Sequence, residues 1–436
     1  MNYIPNILFA IILIAGIGYF ARNVKILFRN IKLGKDKDIS DNKPQRWKNM
    51  AMIALGQSKM VKRPVSGFFH IVVYGGFVII NIEVLEIIID GLFGTHRIGL
   101  IILPQSIYGF LIGTFEILAA LVFVAVVVFW IRRNVIKLKR FMSSEMTGWP
   151  KNDGNIILYF EMVLMTLFLV MNATDTSFQA LDSGNIISQY ISPLFGDNPD
   201  TLHLIERSAW WLHIVGILIF LNYLYYSKHL HILLAFPNTY YGKLTPKGQF
   251  SNNEAVTKEV KLMMDPDADP YAPPPEEDAD AVPAKFGASD VQDLSWVNLL
   301  NAYTCTECGR CTSECPANLT GKKLSPRKIM MDTRDRLEEV GKNIDANNGV
   351  FLDDGKQLLN DYITPEELWA CTSCNACVEA CPVSIDPLNI IMEMRSYLVM
   401  EESAAPMELN NMMTNIENNG APWPYNQMDR LNWKDE

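Results

Sequence analysis

Cys305–Pro316 reads CTECGRCTSECP, and Cys371–Pro382 reads CTSCNACVEACP. Both follow one pattern, C-x2-C-x2-C-x3-C-P. The 436-residue chain has eight cysteines, and all of them lie in these two runs: Cys305, Cys308, Cys311 and Cys315, then Cys371, Cys374, Cys377 and Cys381. Structural cysteines would scatter through a chain of this length. Thiols confined to one repeated pattern act as ligands and act as a set.

The spacing suits iron. Three thiolates two residues apart wrap one face of a cubane cluster, and a fourth, three residues on and followed by proline, typically ligates the other cluster of a two-cluster unit. The expected sets are Cys305, Cys308 and Cys311 with Cys381, and Cys371, Cys374 and Cys377 with Cys315. That crossing ties the two halves together across about 55 intervening residues. Structural zinc favours four ligands in separated C-x2-C pairs. Disulfides belong to oxidising compartments and small secreted domains. Two 4Fe-4S clusters in a reducing compartment are therefore expected.

Upstream, apolar content is concentrated in residues 1–235, whereas residues 240–436 are acidic and polar and account for all of the chain's net negative charge of −10. That balance argues against nucleic acid as a partner. Five segments approach the roughly 20 residues that a membrane-spanning helix needs: Ile4–Phe28, Val65–Ile89, Pro104–Trp130, Ile156–Met171 and Ser208–Tyr226. No basic leader precedes the first, so it is expected to be a true span rather than a removed signal. Lysine and arginine crowd the loop after the first span (from Arg29 to Arg63) and the loop after the third (Arg132 to Lys151). The positive-inside rule then places the N-terminus outside and the C-terminal half in the cytoplasm, as expected for a bacterial inner-membrane protein.

The six histidines all lie in or beside this half: His70, His96, His203, His213, His229 and His231. An ionisable group inside a span is costly and marks a candidate site. Haem b held by one histidine from each of two helices accounts for such placement. His70 lies roughly 12 Å to the cytoplasmic side of its span's centre, and His229 or His231 is at similar depth. If the fifth helix continues, His213 and His231 face the same way about 27 Å apart, and a second haem would need a further ligand for His213, with His96 or His203 as candidates. Plainer readings stand beside these. His203 reads also as an interfacial residue near a helix start, His96 as solvent-facing, and either His229 or His231 as a plain interfacial residue. Glu83, Glu86, Glu116 and Glu161 also fall within or near spans, as proton acceptors for a quinol or as neutral packing groups.

Residues 236–289 read as an acidic, proline-rich linker. Its run Pro273-Pro274-Pro275-Glu276-Glu277-Asp278 cannot build a core. Residues 290–402 form the cluster domain. An amphipathic helix is expected from Asp290 to Leu300. Another starts at Ser325-Pro326 and stops at Gly341, one opens at Thr364-Pro365, and the last runs from Ile385 to Met400. Residues 403–436, with Trp423 and Trp433, read either as a partner anchor or as a tail packed on the cluster domain. The fold class is all-α: a five-helix transmembrane bundle followed by a helical two-cluster ferredoxin-like domain.

The double cysteine unit, with Ser325-Pro326-Arg327 after the first run, resembles the iron–sulfur subunit of heterodisulfide reductase and the cluster modules of related oxidoreductases. The membrane half resembles the five-span cytochrome b gamma subunit of respiratory nitrate reductase. By position, His70, His213 and His231 match three of that subunit's four haem ligands. The fourth falls near Ile80 and Asn81, which do not ligate haem. The resemblance implies an electron-transfer subunit linking membrane quinone, haem b and two clusters to a cytoplasmic partner, either a CCG-domain subunit or an electron-transferring flavoprotein or other dehydrogenase. No CCG motif occurs, so the substrate site is expected in another polypeptide. The competing reading is a membrane anchor or assembly protein with structural or redox-sensing clusters and no haem.

Overall fold

The computed structural model describes residues 3–246, 248–250, 252–267 and 285–435. Among the described residues, five helices are long and apolar enough to cross a membrane: Ile4–Ile31, Pro64–Phe93, Gln105–Asn134, Trp149–Thr174 and Pro199–Tyr226. These first to fifth spans contain nearly all of every expected segment and run past most of their ends. The fourth, expected as Ile156–Met171, gains residues at each end. Proline lies in the first turn of four of them, where its missing N–H costs nothing. The fifth is also capped by Asn198, whose side-chain oxygen accepts from the Asp200 and Thr201 amides at 3.0 and 3.1 Å. Gly94, at φ +71°, closes the second.

Small residues set the packing of the bundle. A Cβ on Gly76 of the second span would lie 2.4 Å from a Val122 methyl of the third. One on Gly91 would lie 2.6 Å from the Phe9 ring of the first span, and Phe9 also packs on Trp210 of the fifth with ring centroids 5.4 Å apart. Such close approach is how helices gain contact in lipid, where apolar burial alone offers little.

The cluster domain is helical, and no strand occurs among the described residues; Lys35–Ser295 and Leu359–Ile363 form isolated bridges. Its main helices are Trp296–Thr304, Pro326–Ala346 and Pro387–Met400. Ser325 caps the second of these, and Thr364 with Glu367 forms a reciprocal capping box, as the sequence leads one to expect. Arg336, with no exposed surface, ties Asp290 at 2.8 Å to Asp354 at 2.6 Å.

The domain sits directly on the basic end of the bundle. The Lys35 amide donates to the Leu294 carbonyl at 2.8 Å, and the Trp296 amide donates back to the Lys35 carbonyl at 3.1 Å. Asn30 donates to the Tyr303 hydroxyl at 2.9 Å, and Arg63 donates to Glu314 at 2.9 Å. Gly341 does not stop its helix, which continues to Ala346. A Cβ there would lie 2.6 Å from the Asn30 amide nitrogen, so the glycine serves close approach to the first span, and Arg29 donates to its carbonyl at 3.1 Å.

One further expectation changes. The fifth helix does not continue to His231: Ser227 is extended at φ −117°, ψ 147°, and a separate helix, His231–Tyr240, follows with Pro237 inside it. The linker contains a helix, Glu254–Met264. The Pro273–Asp278 run lies outside the described residues. The tail forms a helix, Met407–Asn419, and Trp423 and Trp433 are exposed.

Candidate metal centres

The backbone repeats along with the cysteines. Glu307 and Gly309 in the first run take φ of +52° and +70°, and the matching Ser373 and Asn375 in the second take +57° and +59°. These left-handed residues coil each run so that its first three thiols converge. Cys305, Cys308, Cys311 and Cys381 line one cavity, and Cys315, Cys371, Cys374 and Cys377 line another. Each cavity thus takes its fourth thiol from the other run. All eight are free thiols.

This donor set fits a 4Fe-4S cluster. Apolar neighbours such as Met330 and Ile385 in one cavity, and Leu324 and Ile391 in the other, shield most of the thiols, while Cys374 is exposed. Burial and neighbouring thiols push Cys305 up to about 12 and Cys381 up to about 11. Thiolates held so close ionise together only when a bound cation offsets their charge. Backbone amides of Ser373 and Ile385 donate to the sulfurs of Cys371 and Cys381 at 3.4 and 3.3 Å, contacts of the kind that tune a cluster's potential.

On the bundle side of the first cavity lie His70 and His231, their ring centroids 6.4 Å apart and their planes at 42°. Two imidazoles on opposite sides of one iron, each with a metal–nitrogen bond near 2 Å, place their centroids roughly 6.3 Å apart. Nδ1 of His231 lies 3.1 Å from the Lys228 carbonyl. A carbonyl only accepts, so the proton is on Nδ1 and the lone pair on Nε2, the arrangement of a metal-binding histidine with an oriented ring. Nδ1 of His70 is buried without a hydrogen-bond partner. The pair fits haem on these grounds. His229 stands behind, 5.5 Å from the His231 ring and 5.3 Å from that of Phe220.

The other histidines are separate. His213 is buried against Phe168 and lines a mid-bundle cavity of about 70 Å³ with Glu161, Asn81 and Ile80. Among the described residues, no second histidine lines that cavity. His96 sits at the far end of the bundle, half-exposed, with Nε2 3.2 Å from Asp175. His203 is exposed in the first turns of the fifth span.

Residues that the cysteine pattern does not announce join the two centres. Glu307, between Cys305 and Cys308, is buried and held by Lys228 and, at 2.8 Å, by Arg334. Burial pushes its carboxyl up, but the two cations outweigh that and hold it below the ordinary range. Lys228 is also the residue whose carbonyl orients His231. Arg310 reaches back from the same run to the Lys59 carbonyl at 3.1 Å, and Asn238 donates to the Val383 carbonyl at 2.8 Å, two residues beyond Cys381. The only sequence signal for these contacts is a charge inside a cysteine run. Lys228→Met leaves the Glu307 carboxylate buried with one cation fewer, at an expected cost of about 2 kcal/mol. The expected result is a shifted electron-resonance signal from the cluster at Cys305 with its iron retained, restored by Lys228→Arg.

These features define a two-cluster iron–sulfur domain, and residues 304–385 match the 4Fe-4S dicluster domain family. Across 99% of its length the chain is similar, at 28% identity, to a probable iron–sulfur-binding oxidoreductase, FadF, of Bacillus subtilis, covering 61% of that protein. It is 25% identical over 91% of its length to an EtfAB:quinone oxidoreductase of Syntrophomonas wolfei, covering 55% of it. The cluster region, 24% of the chain, is 30% identical to one subunit of the ferredoxin:CoB-CoM heterodisulfide reductase of Methanosarcina mazei, covering 52% of that subunit. The chain therefore spans between half and two thirds of the length of these curated relatives. No solved structure matches it.

Proposed function

We propose that this protein passes electrons between the membrane quinone pool and a cytoplasmic redox partner, through haem b at His70 and His231 and two 4Fe-4S clusters. The observation that carries the reading is the junction at Lys228, which orients His231 with its carbonyl and grips the first cysteine run with its ammonium group. Haem and clusters, when bound, supply one-electron iron chemistry. The chain's own residues present the thiols and imidazoles and tie the cluster domain to the bundle.

The second cysteine cavity, with Cys374 exposed, is the side open to a soluble partner. A CCG-domain subunit or an electron-transferring flavoprotein suits that place, and the relative whose name joins EtfAB to quinone supports the second. The orientation follows: cluster domain in the cytoplasm, N-terminus outside, in a bacterial inner membrane. The lysines and arginines that dock the domain support it, because positive loops stay inside.

The test is rapid mixing of the oxidised, detergent-purified protein with a naphthoquinol. A haem b absorbance that rises and then shares its electrons with the clusters supports the reading. Clusters that reduce with dithionite, in a protein inert to quinol, would contradict it.

A further inference from the structure

A wide cavity lies at the opposite end of the bundle from the clusters, where the first, second and fifth spans meet. It measures about 340 Å³, within the roughly 300–1,000 Å³ of small-molecule sites. Phe9, Trp210 and Trp211 form an aromatic wall, and Met171 and Ile87 add apolar surface.

Its polar groups are nearly all satisfied. Asp175 is held by Arg97 at 2.6 Å and by His96 at 3.2 Å. Glu86 accepts from the Gly99 amide at 2.8 Å and the Tyr108 hydroxyl at 3.2 Å. Glu206 is paired with Arg207. Glu83 differs. It is 3% exposed, and its Oε2 is buried with no hydrogen-bond partner. A buried polar atom left alone costs about 1–3 kcal/mol, and in a lined cavity a ligand group is the natural partner.

We propose that this cavity binds the quinone head group and that Glu83 exchanges its protons with the far side of the membrane. The aromatic wall takes the flat ring, and Glu83 meets one ring oxygen. Oxidation of a quinol releases two electrons and two protons. The electrons leave one at a time for the iron carriers of the proposed route. Each proton passes in turn to the Glu83 carboxylate and from it to water at the cavity mouth, beside half-exposed His96. Reduction of a quinone runs the same exchange backwards. Because the clusters stand at the opposite end, each turnover separates charge across the membrane. This rests on the electron-transfer reading above, and binding is measured apart from it.

The test is quenching of tryptophan fluorescence by a short-chain naphthoquinone, added to the 436-residue protein with its cofactors. Saturable quenching is expected, and it should largely disappear in a Trp210→Phe, Trp211→Phe double variant. Glu83→Leu should weaken binding at least tenfold with haem and iron content unchanged. Glu83→Gln, which can still donate to a quinone carbonyl, should bind within about threefold of wild type but slow quinol-driven haem reduction at least tenfold. Quenching that survives loss of both tryptophans places the quinone elsewhere and overturns the proposal, as does undiminished binding by Glu83→Leu. Absence of haem would instead defeat the electron-transfer reading and leave the binding result standing.

Discussion

His231→Leu abolishes the reduced cytochrome b absorbance of the purified protein and leaves its iron–sulfur content intact. This is the expected result, and His70→Leu should reproduce it. The two rings stand 6.4 Å apart, a spacing at which both would hold the iron of the proposed haem. The remaining neighbours do not substitute well. His229 is turned toward Phe220, and His213 occupies a different cavity. Without one of the two imidazoles that would hold it, haem binding should fall by orders of magnitude, since outer-shell partners alone change metal affinity 10–100-fold. His96→Leu and His203→Leu should leave the band unchanged, because both side chains lie toward the far end. A full-strength band in His231→Leu would move the haem to another histidine pair.

The second large effect concerns the crossing of the clusters. Cys381→Ser is expected to erase the same electron-resonance signal as Cys305→Ser, although the two residues lie in different runs. Cys315→Ser should erase the other signal, together with Cys371→Ser. The cavities dictate this pairing, because each holds three thiols of one run and the fourth of the other. Each variant should lose about four of roughly eight irons. Folding is affected too. Metal binding supplies folding free energy in small metal domains, and each crossed thiolate joins the short helices of both runs around one cluster. If Cys381→Ser instead erased the signal lost in Cys371→Ser, each run would hold its own cluster and the proposed route would change.

Much of this was legible in the sequence because the signals were local. The first three thiols of a set are near neighbours in the chain, and the proline marks the fourth. The caps at Ser325 and Thr364 also act within one helical turn. The spans were legible from apolar length alone. What escaped were contacts between residues distant in the chain. Gly341 looked like a helix stop, since only the folded protein puts Asn30 against it. The break at Ser227 was invisible in an apolar, aromatic stretch, so His213 and His231 seemed to share a face. Spacing alone does not separate His229 from His231, which flank one leucine, and the resemblance favours His231; the Lys228 carbonyl, which orients the His231 ring, supports the same choice. The salt bridge from Lys228 to Glu307 joins residues with no shared pattern.

The most direct test of the central claim is the dithionite-reduced minus oxidised visible spectrum of the detergent-purified protein, with haem and iron quantified on the same sample. The account predicts a cytochrome b band with at least one haem per chain and about eight irons. About eight irons with no haem would contradict it, leaving His70 and His231 as packing residues and the protein as a membrane-anchored pair of clusters without a path into the lipid.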